Sequence, residues 1–180
     1  MTTKDFTTTI RVDKTPGEVC NAINNVRGWW SEEIEGNTDK LNDEFSYHFE
    51  DIHRCRIKVV ELIPNKKIVW LVMDNYFKPG IFEETPQVKN ATATLHNEKA
   101  EWVDTTISFE IVNEKKTTLI RFMHLGLVPE YECFDVCSNG WSHYVQQSLF
   151  NLITTGKGEP NSTGNAQTTD EERFQSAAKA

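Results

Sequence analysis

Apolar and polar residues alternate at the start of the chain. Phe6, Thr8, Ile10 and Val12 fall on one side of Thr7, Thr9 and Arg11, which is the period of a half-buried strand rich in β-branched residues. Asp13-Lys14-Thr15-Pro16 breaks the pattern. Thr15 followed three residues later by Glu18, with Pro16 between them, predicts a capped helix start. Val19, Ala22, Ile23 and Val26 mark its apolar face, and Gly28 ends it before Trp29-Trp30. Further alternations predict strands: Phe45, Tyr47 and Phe49; Cys55, Ile57 and Val59; Ile68 to Met73, apolar on both faces; Ile107, Phe109 and Ile111; and Thr117 to Leu127. Turn residues at 63–67 and 113–116 separate neighbouring strands.

Beyond Pro129 the period changes. Phe134, Cys137, Trp141, Val145, Leu149 and Leu152 step by three or four, a helical spacing over about five turns. Gly156 and Gly158 stop it. Gly140, inside it, either weakens the helix by about 1 kcal/mol relative to Ala or permits a close approach to the sheet. Residues 74–100 show few clear periods and read as an irregular segment. Residues 161–180 are polar and low in complexity and predict a disordered tail. The chain therefore divides into a domain over 1–160 and a tail over 161–180. Strand, helix, a run of antiparallel strands and one long amphipathic helix predict an α+β fold, a curved antiparallel β-sheet wrapped around a long C-terminal α-helix, with space between them.

This order resembles the helix-grip fold of the START-related (SRPBCC) superfamily, and within it the branch similar to the activator of the heat-shock-protein-ninety ATPase. The residues that carry the resemblance are Glu101-Trp102-Val103, the strand Asp104 to Ile111, His124-Leu125-Gly126-Leu127-Val128-Pro129, Glu132-Cys133, and, on the helix, Cys137, Gly140-Trp141, Tyr144, Ser148-Leu149 and Leu152 to Pro160. It implies a fold shared by lipid carriers, polyketide cyclases, plant hormone-binding proteins and co-chaperones. Because one fold hosts many functions, it does not choose among them.

Composition narrows the field. The chain has 180 residues, 38% hydrophobic, with 27 Asp+Glu against 19 Lys+Arg and a net charge of -8. Such an acidic balance offers no electrostatic footprint for nucleic acid or anionic lipid. No apolar run approaches the ~20 residues that span a bilayer. Met1 to Asp5 lacks the apolar core of a signal peptide, so a cytoplasmic location and free thiols at Cys20, Cys55, Cys133 and Cys137 are expected. The mean hydropathy is -0.54, yet 10 Phe, 5 Trp and 4 Tyr supply large apolar area per residue.

Those aromatics frame the candidate site. On the last strand, Arg121 shares a face with Leu119, Met123 and Leu125, while Ile120, Phe122 and His124 share the other. An unpaired buried guanidinium is costly, so His124 is expected to point inward. Trp29, Trp30, Tyr47, Phe49, Trp70, Phe109, Phe122, Trp141 and Tyr144, with His124, are the candidate ligand-binding residues, as packed core or as pocket wall. The function that follows is binding of a small apolar or aromatic ligand between sheet and helix. The alternatives are a cyclase-like or hydrolase-like enzyme in the same cavity, with His124 as acid or base, and a co-chaperone-like interaction module. His124 also reads as a structural histidine, and no catalytic set is fixed by the sequence. Cys133 and Cys137 with His124 offer a metal reading, and either cysteine with His124 a nucleophile pair; structural zinc wants four ligands at typical spacings, and packing thiols are favoured. No metal and no cofactor is expected. Glu32, Glu33 and Glu35 read as a solvated charge run. The apolar outer positions of the strands are expected to be covered by the 74–100 segment, or else by a homodimer or another protein.

Overall fold

Strand β1 (Phe6–Val12) buries Ile10 and Val12 and exposes Thr7, Thr9 and Arg11, as its alternation requires. It leads into α1 (Pro16–Asn24). Thr15 Oγ1 accepts from the Glu18 amide at 3.2 Å, and the Glu18 carboxylate accepts from the Thr15 amide at 2.8 Å, so the predicted capping box closes in both directions. A 3-10 turn (Val26–Gly28) then delivers Trp29 and Trp30 to the interior. These relations come from a computed structural model that describes residues 4–82 and 101–179.

The remaining strands are β2 (Glu35–Gly36), β3 (Glu44–Phe49), β4 (His53–Ile63), β5 (Lys67–Phe77), β6 (Thr106–Glu114) and β7 (Thr117–Leu125). They form one antiparallel sheet in the order β1-β7-β6-β5-β4-β3-β2, a meander closed at one edge by the first strand. Phe45, Phe49, Ile57, Ile68, Trp70, Phe109 and Ile120 fill its inner face and are almost completely buried. As charge placement demands, Arg121 is outside, near Glu110, and His124 is inside.

The long helix lies across that face. It runs as α2 (Phe134–His143), a π-helical turn (Tyr144–Leu149) and α3 (Phe150–Thr155). Trp141 reaches Phe122 and Trp30, each at a ring separation of 4.9 Å. Gly156 ends the helix with a left-handed φ of 85°, a conformation without steric cost for glycine.

Four expectations change. The sequence pattern ends the fifth strand at Met73, but β5 continues to Phe77. A break in register places Val72 opposite Ile57 and Asp74 opposite Arg56. The extra residue reverses the alternation, so Asn75 and Phe77 turn inward where unbroken period two would turn them out. On the helix, Ile153 rather than Leu152 is buried, because a π turn takes an extra residue and rotates the following turn. A Cβ on Gly140 would meet nothing within 4 Å, so that glycine marks open space, not close approach. Finally, the polar stretch after Pro160 is folded over its described residues. Asn161 bridges to Ser31, and α4 (Thr169–Ala178) begins at a second capping box, Thr168 with Glu171. Polarity predicts disorder when too little apolar surface can be buried. Here Asn161 and, on α4, Glu171 and Phe174 are buried against the body of the protein. Glu33 of the acidic run accepts from the Thr163 amide at 2.8 Å, so that residue also holds the segment. Residues 83–100 of the expected irregular stretch lie outside the described residues.

Candidate ligand-binding site

His124 sits at the inner end of β7, fully buried. Trp141 Nε1–H donates to its Nδ1 at 3.0 Å. An indole nitrogen only donates, so Nδ1 accepts and the ring proton lies on Nε2. That proton faces Thr105 Oγ1 at 2.8 Å, and the Thr105 hydroxyl in turn donates to the Trp102 carbonyl at 2.5 Å. Both ring nitrogens are thus occupied. Burial, above the opposing effect of Asp5, pushes the ring pKa down to about 3. A neutral imidazole with no vacant lone pair orients Trp141 and ties β7 to the helix; it has no atom left to take a substrate proton.

A second buried imidazole lies three strands away, beyond β6 and β5. His53, at the start of β4, stacks on Phe77 at 4.1 Å and meets Tyr47 and Trp102 edge-on. Its Nε2 is 2.9 Å from Asn75 Oδ1, an acceptor that assigns the proton to Nε2 and leaves Nδ1 as the acceptor of the ring. Burial lowers its pKa to about 4, against the hydrogen bond to Asn75. The β5 bulge is what brings Asn75 and Phe77 to it.

Between His53 and the long helix is a gap of about 60 Å³. Its aromatic walls are Trp30, Tyr47, Phe49, Phe77, Trp102 and Trp141; Gly140 leaves one side of α2 bare, and His53 contributes its ring. A buried water needs at least ~10–15 Å³, so the gap as it stands has room for a few waters and no more. Thr168, Asp170, Glu171 and Phe174, from the C-terminal segment, form its remaining side.

A polar cluster borders that side. Tyr144 Oη donates to Glu171 Oε1 at 2.5 Å, and Asn161 Nδ2 donates to the same oxygen at 2.8 Å. Tyr47 Oη lies 3.0 Å from Asn161 Nδ2. Glu171 Oε2 accepts from the amides of Gln167 and Thr168 at 2.8 and 3.2 Å. Desolvation drives the Tyr47 and Tyr144 hydroxyls well above the ordinary phenol range, with Glu171 adding to the effect, so both remain protonated donors. Asn161 itself is fixed to the body: its amide donates to the Trp30 carbonyl at 3.0 Å and its carbonyl accepts from Glu32 at 2.9 Å. Nearby, Ser148 Oγ in the π turn donates to the Trp29 carbonyl and accepts from the Glu159 amide, both at 2.7 Å.

Of the ten residues expected at a pocket, Trp30, Tyr47, Phe49, Trp141 and Tyr144 line this gap. Trp29, Trp70, Phe109 and Phe122 are instead stacked behind it as core, with Trp29 and Trp70 6.2 Å apart and Trp70 and Phe109 5.0 Å apart; His124 supports it through Trp141. The sequence pattern missed His53, Phe77, Trp102 and the four residues of the C-terminal segment. Thr168-x-x-Glu171 repeats the Thr15-x-x-Glu18 signature and was the available signal for α4. Burial raises the thiol pKa of Cys55 and Cys133, which keeps both as inert thiols. Among the described residues no three His, Cys, Asp or Glu side chains are grouped to hold a metal ion, and no described helix is long and apolar enough to cross a membrane.

No family model matches the chain, and no curated protein matches it. Solved structures do. The solution structure of the Aha1 dimer from Colwellia psychrerythraea is 21% identical, with a TM-score of 0.63 over 86% of this chain and 98% of that one. DynU16, from the dynemicin biosynthetic locus, is 13% identical with a TM-score of 0.59 over 86% of this chain and 49% of that one. CalU16 from Micromonospora echinospora is 13% identical with a TM-score of 0.54 over 96% and 81%. At these identities the likeness is one of fold: the chain shares with these structures a helix-grip-like α+β architecture, an antiparallel sheet with a long C-terminal helix.

Proposed function

We propose that this protein binds a small apolar or aromatic ligand in the gap between the sheet and the long helix. The observation that carries the reading is the gap itself. Aromatic rings line it together with Gly140, a helix position without a side chain, and Tyr47 and Tyr144 add protonated hydroxyls to that lining. Mostly apolar walls with a few convergent polar groups are the usual make-up of a small-molecule site. Catalysis by His124 has less to support it, since its lone pair is held by Trp141 and its proton by Thr105.

Native mass spectrometry of protein purified from its own host tests the reading. A retained small molecule is expected on the wild-type chain and not on Gly140→Leu, which fills the gap from the helix. A wild-type protein that carries nothing, and takes up no aromatic compound at millimolar concentration, would sink the idea.

Self-association is a second reading with its own observation. Met123 and Leu125, 38% and 47% exposed on the outer side of β7, are an apolar pair turned away from the core, and one structural neighbour is a dimer.

A further inference from the structure

α4 is an unusual piece of the fold. Its sequence, Thr169 to Ala178, is strongly polar, and a ten-residue helix of this kind is marginal by itself. It is attached to the gap through two buried side chains, a carboxylate and an aromatic ring. The carboxylate oxygen of Glu171 takes the hydrogen bonds of Tyr144 and Asn161. The ring of Phe174 stands among the wall residues, edge-on to Phe82 at 6.4 Å. The two lie three residues apart, hence on one helical face with Cβ atoms about 5–6 Å apart. Both donors belong to parts that do not depend on α4: Tyr144 is on the long helix, and Asn161 is pinned to Trp30 and Glu32.

Remove α4, and the Tyr144 hydroxyl loses its acceptor while Asn161 Nδ2 keeps only the two phenol oxygens, of Tyr144 at 2.8 Å and Tyr47 at 3.0 Å, beside an apolar space the size of a ring. We propose that α4 occupies the site as a tethered stand-in for its ligand, and that the ligand is an aromatic carboxylate that displaces it, its carboxylate on Tyr144 and Asn161 and its ring in the place of Phe174. This rests on the binding reading above and adds two things, the chemical class of the ligand and the competition that controls its entry. It also accounts for the small gap, because the protein's own side chains fill the larger site. The acidic surface is no obstacle, since a carboxylate already resides at this position.

The test uses the full chain with 2-naphthoate and its neutral analogue 2-naphthalenemethanol, followed by calorimetric titration and by amide hydrogen exchange. Naphthoate is expected to bind the wild type and to speed exchange across 169–178 at least tenfold. Phe174→Ala weakens the competitor, so it should bind naphthoate at least tenfold more tightly. Ser176→Pro, which breaks α4 from an exposed position, should do the same and guards against a folding defect in the first variant. Tyr144→Phe should lose at least tenfold for naphthoate and little for the alcohol. If the alcohol or the acid binds while exchange in 169–178 is unchanged, and neither α4 variant binds more tightly, the stand-in role is overturned and the binding reading survives. If neither compound binds the wild type or either α4 variant, both are overturned.

Discussion

His53 and His124 both meet the Trp102 ring edge-on, at 4.9 and 4.7 Å, and both are held neutral by burial. Their folded pKa values, about 4 and about 3, stand below the ~6.5 of an exposed imidazole. The unfolded chain therefore binds more protons below pH 6.5. The stability these neutral rings allow is fully present well above pH 6.5, is lost as pH falls from 6.5 toward the folded values, and falls no further below them. Between pH 7.5 and 5 each ring should cost about 2 kcal/mol, since both folded values lie well below 5. Exposed Glu18 and Glu114, held below 4.5 by Thr15 and Arg11, titrate outside this window. Urea midpoints at pH 7.5, 6 and 5 check the expectation: the midpoint should drop steeply over the last unit, and less so in His124→Gln. A flat profile would contradict the buried-neutral assignment. That His124 is inward was legible from Arg121 on the opposite face. That its lone pair is spent on Trp141 was not, because residues 124 and 141 meet only when the helix lies on the sheet.

At the scale of elements, the informative places are those where a period slips. The β5 bulge turns Asn75 and Phe77 toward His53, and the π turn in the long helix buries Tyr144, Val145, Ser148 and Leu149 together. Neither leaves a mark in a pattern of apolar spacing, since one extra residue looks the same as the end of an element. Gly140 is a local departure of another kind. It lies inside α2 with free space where its side chain would be. Gly140→Ala should raise stability by about 1 kcal/mol through helix propensity, measured by thermal or urea unfolding, and should reduce ligand uptake because the methyl group enters the gap. No gain in stability would mean that the glycine serves the backbone instead of the space. Gly158 is the opposite case: a Cβ there would stand 2.2 Å from the Gly28 carbonyl oxygen, so this position serves the close crossing of the chain after α3 over the turn before Trp29.

For the whole molecule, the inner face of the sheet is closed three times over, by α1, by the long helix and by α4, whereas the outer face leaves Met123 and Leu125 accessible among the described residues. If that pair supports self-association, sedimentation velocity should show a concentration-dependent dimer that Leu125→Lys removes; a monomer at all concentrations would discard it. The order of the longer strands, α1 and the long helix, the two sides of β1 and β7, the capped start of α1 and the aromatic character of the interior were determined by the sequence alone, because each depends on residues within one or two turns of each other. Tertiary structure decided which rings are wall and which are core. It chose Trp30 over its neighbour Trp29, brought His53 into the site and His124 out of reach of chemistry, and set Glu171 and Phe174 against Tyr144 and Asn161. The physical reason is that a side chain's chemistry here depends on what covers it. For the site the cover comes from a polar segment whose two anchoring residues are too few to register as a hydrophobic pattern, yet suffice once Tyr144 and Asn161 are in place to receive them.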